Sequence, residues 1–518
     1  MRRPATVSLC LFCLALLMCL VLGEARGELR YVHGPEIYVD VIGTEEMYVP
    51  LDILRRLYPR DSWRVSDGKV YREDRKGYAL FDVEHQTVSF YGLNISAPIS
   101  EAAEYVIRPT SVYETENRVA TVDLSRWGFQ MLEQDEKIYV PLTVMSALFM
   151  EEHGEVLFTD GQDIYFLPAA EALGILRQLK MRRTPEAIER NARALFFRLD
   201  VMYGLDAPWR EKGFEAWLRE KDESCLRQLL SSSESAYLAG MRTLRWRWID
   251  DGHTRMLQGP RGTDPYGASE EMKRGTRMGS ILSSISQVNW ARSRGTKREK
   301  LHVYLDMAVL TIDEFTFDRF YWQGKPDIHA LEDRDTVTFL ITSLNALADR
   351  GDVRHVVLDL SANPGGDTDA VYFALAAMKG ESTISMKNAL TGSIRAESFT
   401  LQGMDGWADR FDFSILTSPG TFSGADLLAH ICRIEGCAQI IGEKSGGGSC
   451  PVALFVDEFG SAIGYSCVWS MGTGNSEGTW ENTDAGTEPD VKASIRDLAD
   501  DRKLYALILQ ENAVNPAK

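Results

Sequence analysis

Beyond Leu22 this 518-residue chain has no apolar run long enough to cross a bilayer, which excludes a polytopic membrane protein. It also lacks a basic excess. Its 57 Lys and Arg stand against 75 Asp and Glu, a net charge of −18. A nucleic-acid partner would favour a positive face, so no nucleic acid is expected, and the acidity reads as solubility. Cysteine is scarce. Cys10, Cys13 and Cys19 fall in the first segment, leaving Cys225, Cys432, Cys437, Cys450 and Cys467. These do not make a disulfide scaffold, and their odd number leaves at least one thiol unpaired within the chain. Cys450 with Cys467, and Cys432 with Cys437, each read equally as a bridge or as two reduced, buried thiols. No cysteine–histidine cluster has zinc-ligand spacing, so no structural metal is expected.

What is there begins with Arg2 and Arg3, the apolar run Val7 to Leu22, and Gly23, Glu24 and Ala25. This is the pattern of a secretory signal over residues 1–27, predicting a secreted or cell-surface protein, membrane-anchored if the segment is not cleaved. Met18 before Cys19 argues against a lipoprotein site. At about 150 residues per domain the length suggests about three domains. Residues 28–169 alternate short β-like runs with turns and predict an α+β module. Within it Met47-Tyr48-Val49-Pro50-Leu51 echoes Ile138-Tyr139-Val140-Pro141-Leu142, each a strand ending at a proline that suits a helix start. Residues 170–255 predict helices: Thr184-Pro185 is a cap and first turn, followed by the apolar stripe Ile188, Ala192, Leu195, Leu199 and Met202. Residues 256–300 form a Gly- and Ser-rich connector, flexible or partly helical. From residue 301 to 518 strands alternate with helices in an α/β pattern, with a strand predicted over Val303 to Ile312.

Three motifs carry chemistry. Ser423 follows a predicted strand and opens a predicted helix, where the helix dipole favours negative charge and the N–H groups of Ser423 and Gly424 are not used by the helix. The bland alternative is an N-cap serine. Asn363-Pro364-Gly365-Gly366 follows a hydrophobic strand, and paired glycines let backbone N–H groups approach a ligand. Strand C-terminal ends gather ligands in open α/β sheets, so both turns belong on one edge. His253 lies in the turn Asp250-Asp251-Gly252-His253-Thr254. A base, an anion-binding loop and a nucleophile are the parts of acyl transfer.

Together these motifs resemble the tail-specific, or C-terminal-processing, serine protease family and its tricorn-like branch. Leu358 to Gly366 looks like the family's D-L-R-x-N-P-G-G segment. Ser418 to Glu435 looks like its nucleophile turn and helix, usually read T-x-S-A-x-E, Ile440 to Gly448 like its I-G-x-x-T-x-G loop, and Gly486 to Asp490 like its closing G-V-x-P-D. The resemblance implies a crotonase-like α/β protease core, Ser423 as nucleophile, and an oxyanion site from Gly365, Gly366 and Gly424, with no cofactor. One branch uses a Ser–Lys dyad. Gly448 stands where that lysine would be, and Lys444 lies four residues earlier, so the dyad looks absent. The tricorn-like branch uses a histidine in a D-G-H-T-type turn, which implies His253 as general base. The orienting acid would be Glu481, with Asp484 as the runner-up. The stretch between Thr254 and Leu301 is too short for the family's PDZ module. The N-terminal part resembles, over two short echoes, the copper amine oxidase N-terminal-like domain of bacterial surface proteins. The expectation is a secreted serine endopeptidase acting on protein or peptide substrates, with cell-wall contact through the N-terminal module. The alternative is an inactive family member that binds peptides or ligands at the cell surface.

Overall fold

A computed structural model of the chain describes residues 28–512, apart from 44–45, 59–62, 73–76, 92–99, 101, 115–118, 150–154, 180–181, 261–268, 297–298, 405 and 475–478. The signal reading of residues 1–27 lies outside the described residues. Among those described, no helix is long and apolar enough to cross a membrane.

The two echoing segments pair with each other. Strand Tyr48–Pro50 lies antiparallel to Lys137–Pro141, with Val49 opposite Val140. Leu51 N donates to Ile138 O at 3.0 Å and Leu142 N to Met47 O at 2.8 Å, so the cross-links repeat with the echo. Each strand then enters a helix, Ile53–Leu57 or Leu142–Phe149. A five-stranded antiparallel sheet of residues between Trp63 and Asp123 packs its apolar face on Phe149. One N-terminal strand leaves this region: Ile107–Glu114 pairs antiparallel with Ile394–Leu401 and becomes an edge of a five-stranded sheet in the second half of the chain.

The helical segment forms as the stripe predicts. Thr184 caps helix Pro185–Val201 by accepting from Ala187 N, and the apolar face buries Ala192, Leu195 and Leu199. Trp209, Phe214 and Trp217 cluster at the start of helix Phe214–Leu229. The connector contains a helix, Arg277–Arg292, capped by Thr276. It is not a loose tether. Ser284 Oγ lies 2.9 Å from Ser418 Oγ, and Arg292 binds Asp359.

The α/β part is built on a six-stranded sheet. Strands Met307–Thr311, His355–Asp359, Asp412–Thr417, Gln439–Gly442 and Val491–Lys492 run parallel, and Leu301–Tyr304 is antiparallel at one edge. The predicted Val303–Ile312 strand is therefore a hairpin. Leu305, at φ 56°, turns the chain, and a single long strand gives way to two short ones. Every residue of strand His355–Asp359 is buried, as a parallel strand covered on both faces requires. Helices Thr336–Arg350, Thr368–Lys379 and Gly424–Glu435 supply apolar cover.

Candidate active site

The parallel register levels the C-terminal ends of three neighbouring strands, with Asp359 beside Leu416 and Leu416 beside Ile441. The three loops leaving them are laced together. Phe422 N donates to Asn363 O at 3.0 Å, Gly446 N to Thr421 O at 2.7 Å, and Ser423 N to Gly447 O at 2.7 Å. The topology thereby brings the glycine loop and the serine turn to one point. A Cβ added to Gly365 would stand 2.7 Å from Ser423 Cβ. Only a glycine lets the two backbones approach this closely.

Ser423 is not an ordinary helix cap. Its side chain makes no capping bond, and its backbone sits at φ 55°, ψ −124° at the mouth of helix Gly424–Glu435. A non-glycine residue there costs on the order of 1–3 kcal/mol, and such strain clusters at functional positions. Ser423 lines a cavity of about 270 Å³ together with Gly366, Gly424, Arg319, Leu427 and Met471.

Of the three expected oxyanion glycines, two have a free N–H. Among the described residues nothing accepts from Gly366 N or Gly424 N. Gly365 differs: its N–H donates to Asn363 Oδ1 at 2.8 Å, which folds the loop back on itself. Ser423 N is likewise spent on Gly447 O. A nearby Asx-type bond and the serine turn's own lacing, neither visible in spacing, claim these two donors.

His253 reaches the neighbourhood of the serine through Phe422. The imidazole lies against the Phe422 ring, with centroids 4.7 Å apart. It is buried, and its Nδ1 has no hydrogen-bond partner among the described residues. Among the described residues no hydrogen bond joins it to Ser423. Burial pushes its pKa down to about 4, against the opposing pull of Asp251 and Asp484. The imidazole is thus neutral at ordinary pH, the state a general base needs. The turn beneath it is rigid. Asp251 accepts from His253 N, Thr254 N, Thr254 Oγ1, Tyr203 Oη and Ser466 Oγ, so its carboxylate is consumed in holding the turn.

The two candidate acids are placed differently. Glu481 is exposed on the short strand Trp480–Asn482, and the histidine its charge acts on is His430, not His253. The field of Asp484, the runner-up, does reach His253, after the larger pull of Asp251. Arg277 holds Asp484 in a two-pronged ion pair at 2.8 and 3.2 Å. The backbone N of Arg277 also donates to Asp250 at 2.6 Å, so this one residue ties the acid loop to the histidine turn.

Phe422, between Thr421 and Ser423, was not singled out by motif. Its ring fills the space in front of both Gly252 and Gly448, where an added Cβ would stand 2.5 Å from it in each case. No lysine fits at position 448 while that ring is there. Lys444 pairs with Glu488 at 3.1 Å on the surface. Asp426, at the acid position of the nucleophile motif, is fully buried. It accepts from Ser445 Oγ and from Thr487 N, pinning two loops to the helix, and burial lifts its pKa to about 6.

Residues 306–493 match the model of peptidase family S41. No curated protein matches the chain. Similar solved structures include the photosystem II D1 C-terminal processing protease, 18% identical, TM-score 0.29, over 37% of this chain and 43% of that one. A lipoprotein from Streptococcus agalactiae is 13% identical, TM-score 0.36, over 62% of this chain and 97% of that one. The tricorn protease is 11% identical, TM-score 0.27, over 91% of this chain and 46% of that one. The chain thus spans less than half the length of two of these three structures.

Proposed function

From a chain whose residues 306–493 form a peptidase family S41 domain, we propose a serine endopeptidase of the tail-specific, tricorn-like kind, with a crotonase-like core. Ser423 Oγ attacks the scissile carbonyl of a protein or peptide bound in the adjoining cavity. His253 takes the hydroxyl proton and returns it to the leaving amine, and water then hydrolyses the acyl-enzyme. Gly366 N–H and Gly424 N–H receive the developing oxyanion. Asp484 stands as the orienting acid in place of Glu481. Binding of substrate brings imidazole and hydroxyl into contact, a tightening common between resting and substrate-bound sites. Export belongs to the same proposal and is supported by the basic start and apolar run of residues 2–25.

The observation that carries this reading is the conjunction at Ser423: a strained serine, uncapped, beside two unpaired backbone donors in one cavity. The missing bond between His253 and Ser423 favours a second reading, a ligand-binding protein on a protease fold. A fluorophosphonate probe separates them. The peptidase reading expects labelling that Ser423→Ala and His253→Ala each abolish. No labelling of the folded wild type supports the binding protein, and labelling that survives Ser423→Ala removes the nucleophile assignment.

A further inference from the structure

Helix Gly424–Glu435 carries Ser423 at one end and two cysteines at the other. Gly436 ends it in the left-handed conformation at φ 66°, and Cys437 N donates to Cys432 O at 3.0 Å. This is the outer bond of a Schellman stop, in which side chains five positions apart meet over the helix end. Two apolar groups usually make that contact. Here the two positions carry thiols, brought to the same helix end by that backbone bond.

The two thiols are not equivalent. Cys432 is fully buried, whereas Cys437 is partly exposed and lines a cavity of about 420 Å³ with His355, Lys379, Asp412, Glu435 and Gln439. His355, Asp412 and Gln439 are the first residues of their strands, so this cavity lies at the sheet edge opposite the serine. The neighbouring Cys432 thiol lowers the Cys437 pKa against burial and the Glu435 carboxylate, and the Lys379 ammonium, paired with Glu435 at 2.9 Å, adds a smaller pull the same way. The remaining thiols contrast with it. Cys225 is buried, donates to Gly240 O, and is pushed up to about 12. Cys450 and Cys467 are both buried.

We propose that Cys437 and Cys432 form a thiol–disulfide exchange site for low-molecular-weight disulfides. The Cys437 thiolate attacks one sulfur of the small disulfide, whose S–S bond breaks and releases one thiol. Cys432 then attacks the Cys437 sulfur, gives up its proton, and displaces the second thiol. Two electrons and two protons pass from the protein dithiol to the small disulfide, and an internal Cys432–Cys437 bond remains. The closed loop is so short that the bond constrains little of the unfolded chain and adds little stability. The site therefore titrates redox state without changing the fold.

The test uses the full chain, oxidised glutathione as probe, and peptide mapping without reductant. In the wild type the expected product is the internal 432–437 cross-link, short of two hydrogen atoms and carrying no glutathione. Cys432→Ser is expected to retain one glutathione on Cys437. Cys437→Ser is expected to react at least about tenfold more slowly, because the remaining thiols are buried. Wild-type protein that keeps glutathione on Cys437 without closing, that does not react, or that cross-links Cys450 to Cys467 instead overturns the proposal. The wild-type product alone decides, so a variant that fails to fold does not obscure the answer. The result is independent of peptidase activity.

Discussion

The two halves of the site are built differently. The serine half is finished: strand register levels the loops, backbone bonds lace them, and Ser423 sits with two free N–H groups in one cavity. The histidine half is assembled from separate segments, the turn at 250–254, the helix starting at Arg277 and the loop at Asp484, joined through one ion pair, a backbone hydrogen bond and a phenylalanine. The difference teaches that a parallel sheet prebuilds a nucleophile and its anion site almost unaided. A base brought from outside the sheet depends on long-range side-chain contacts.

The largest expected effect comes from breaking the finished half. Ser423→Ala should lower peptide hydrolysis by at least about 10⁴-fold. Ser423→Gly should do the same yet unfold at a higher temperature, because glycine relieves the positive φ by about 1 kcal/mol. An active Ser423→Ala enzyme would erase the contrast between the halves.

Next come the two acids. Asp484→Asn should cost about 10²- to 10⁴-fold in kcat/KM, and Glu481→Gln should leave it unchanged. The reverse order would restore Glu481 behind His253. Gly448→Lys sharpens the same contrast. The side chain meets the Phe422 ring, and its position has φ 91°. Melting should show a loss of about 1–3 kcal/mol, with no rescue of His253→Ala.

The smallest net effect in the wild type is in pH dependence, where two opposed contributions meet. The folded His253 takes up its proton only near pH 4, the unfolded one near 6.5. Acidification through that window therefore loads protons on the unfolded state and costs about 3 kcal/mol of stability. Asp426 works in the opposite sense. Its folded pKa of about 6 lies above the unfolded 3.8, so protonation between those values favours the fold by a similar amount. These two contributions largely cancel in the wild type between pH 4 and 6.5. Relative to it, His253→Gln should gain stability on acidification and Asp426→Asn should lose it, read from denaturant midpoints at each pH. The acid limb of kcat/KM should fall below 6.5. A limb at or above 6.5 would mean the imidazole is solvated in the working enzyme.

Much of the serine half was legible because its signals are local. A hydrophobic strand, a glycine pair and a serine before a helix each lie within a few residues, and backbone geometry follows from such spacing. The helix stripe after Thr184 was legible for the same reason. The acid was not, since choosing between Glu481 and Asp484 depends on which way a short strand turns its side chains. The donor spent at Gly365 depended on the Asn363 side chain. Arg277 carried no motif at all, and nothing in a Gly- and Ser-rich stretch foretold that its helix would brace the site.

By itself the sequence determined the parallel strands and helices that carry the glycine loop and the serine, the glycines needed where backbones meet, and the serine turn with its helix. Those are consequences of period, propensity and backbone freedom, which act over short distances. Only the tertiary structure decided which carboxylate stands near the histidine, why position 448 holds no lysine, and that two cysteines share a helix end. These depend on where packing brings distant or turned segments together, and packing depends on the whole chain at once.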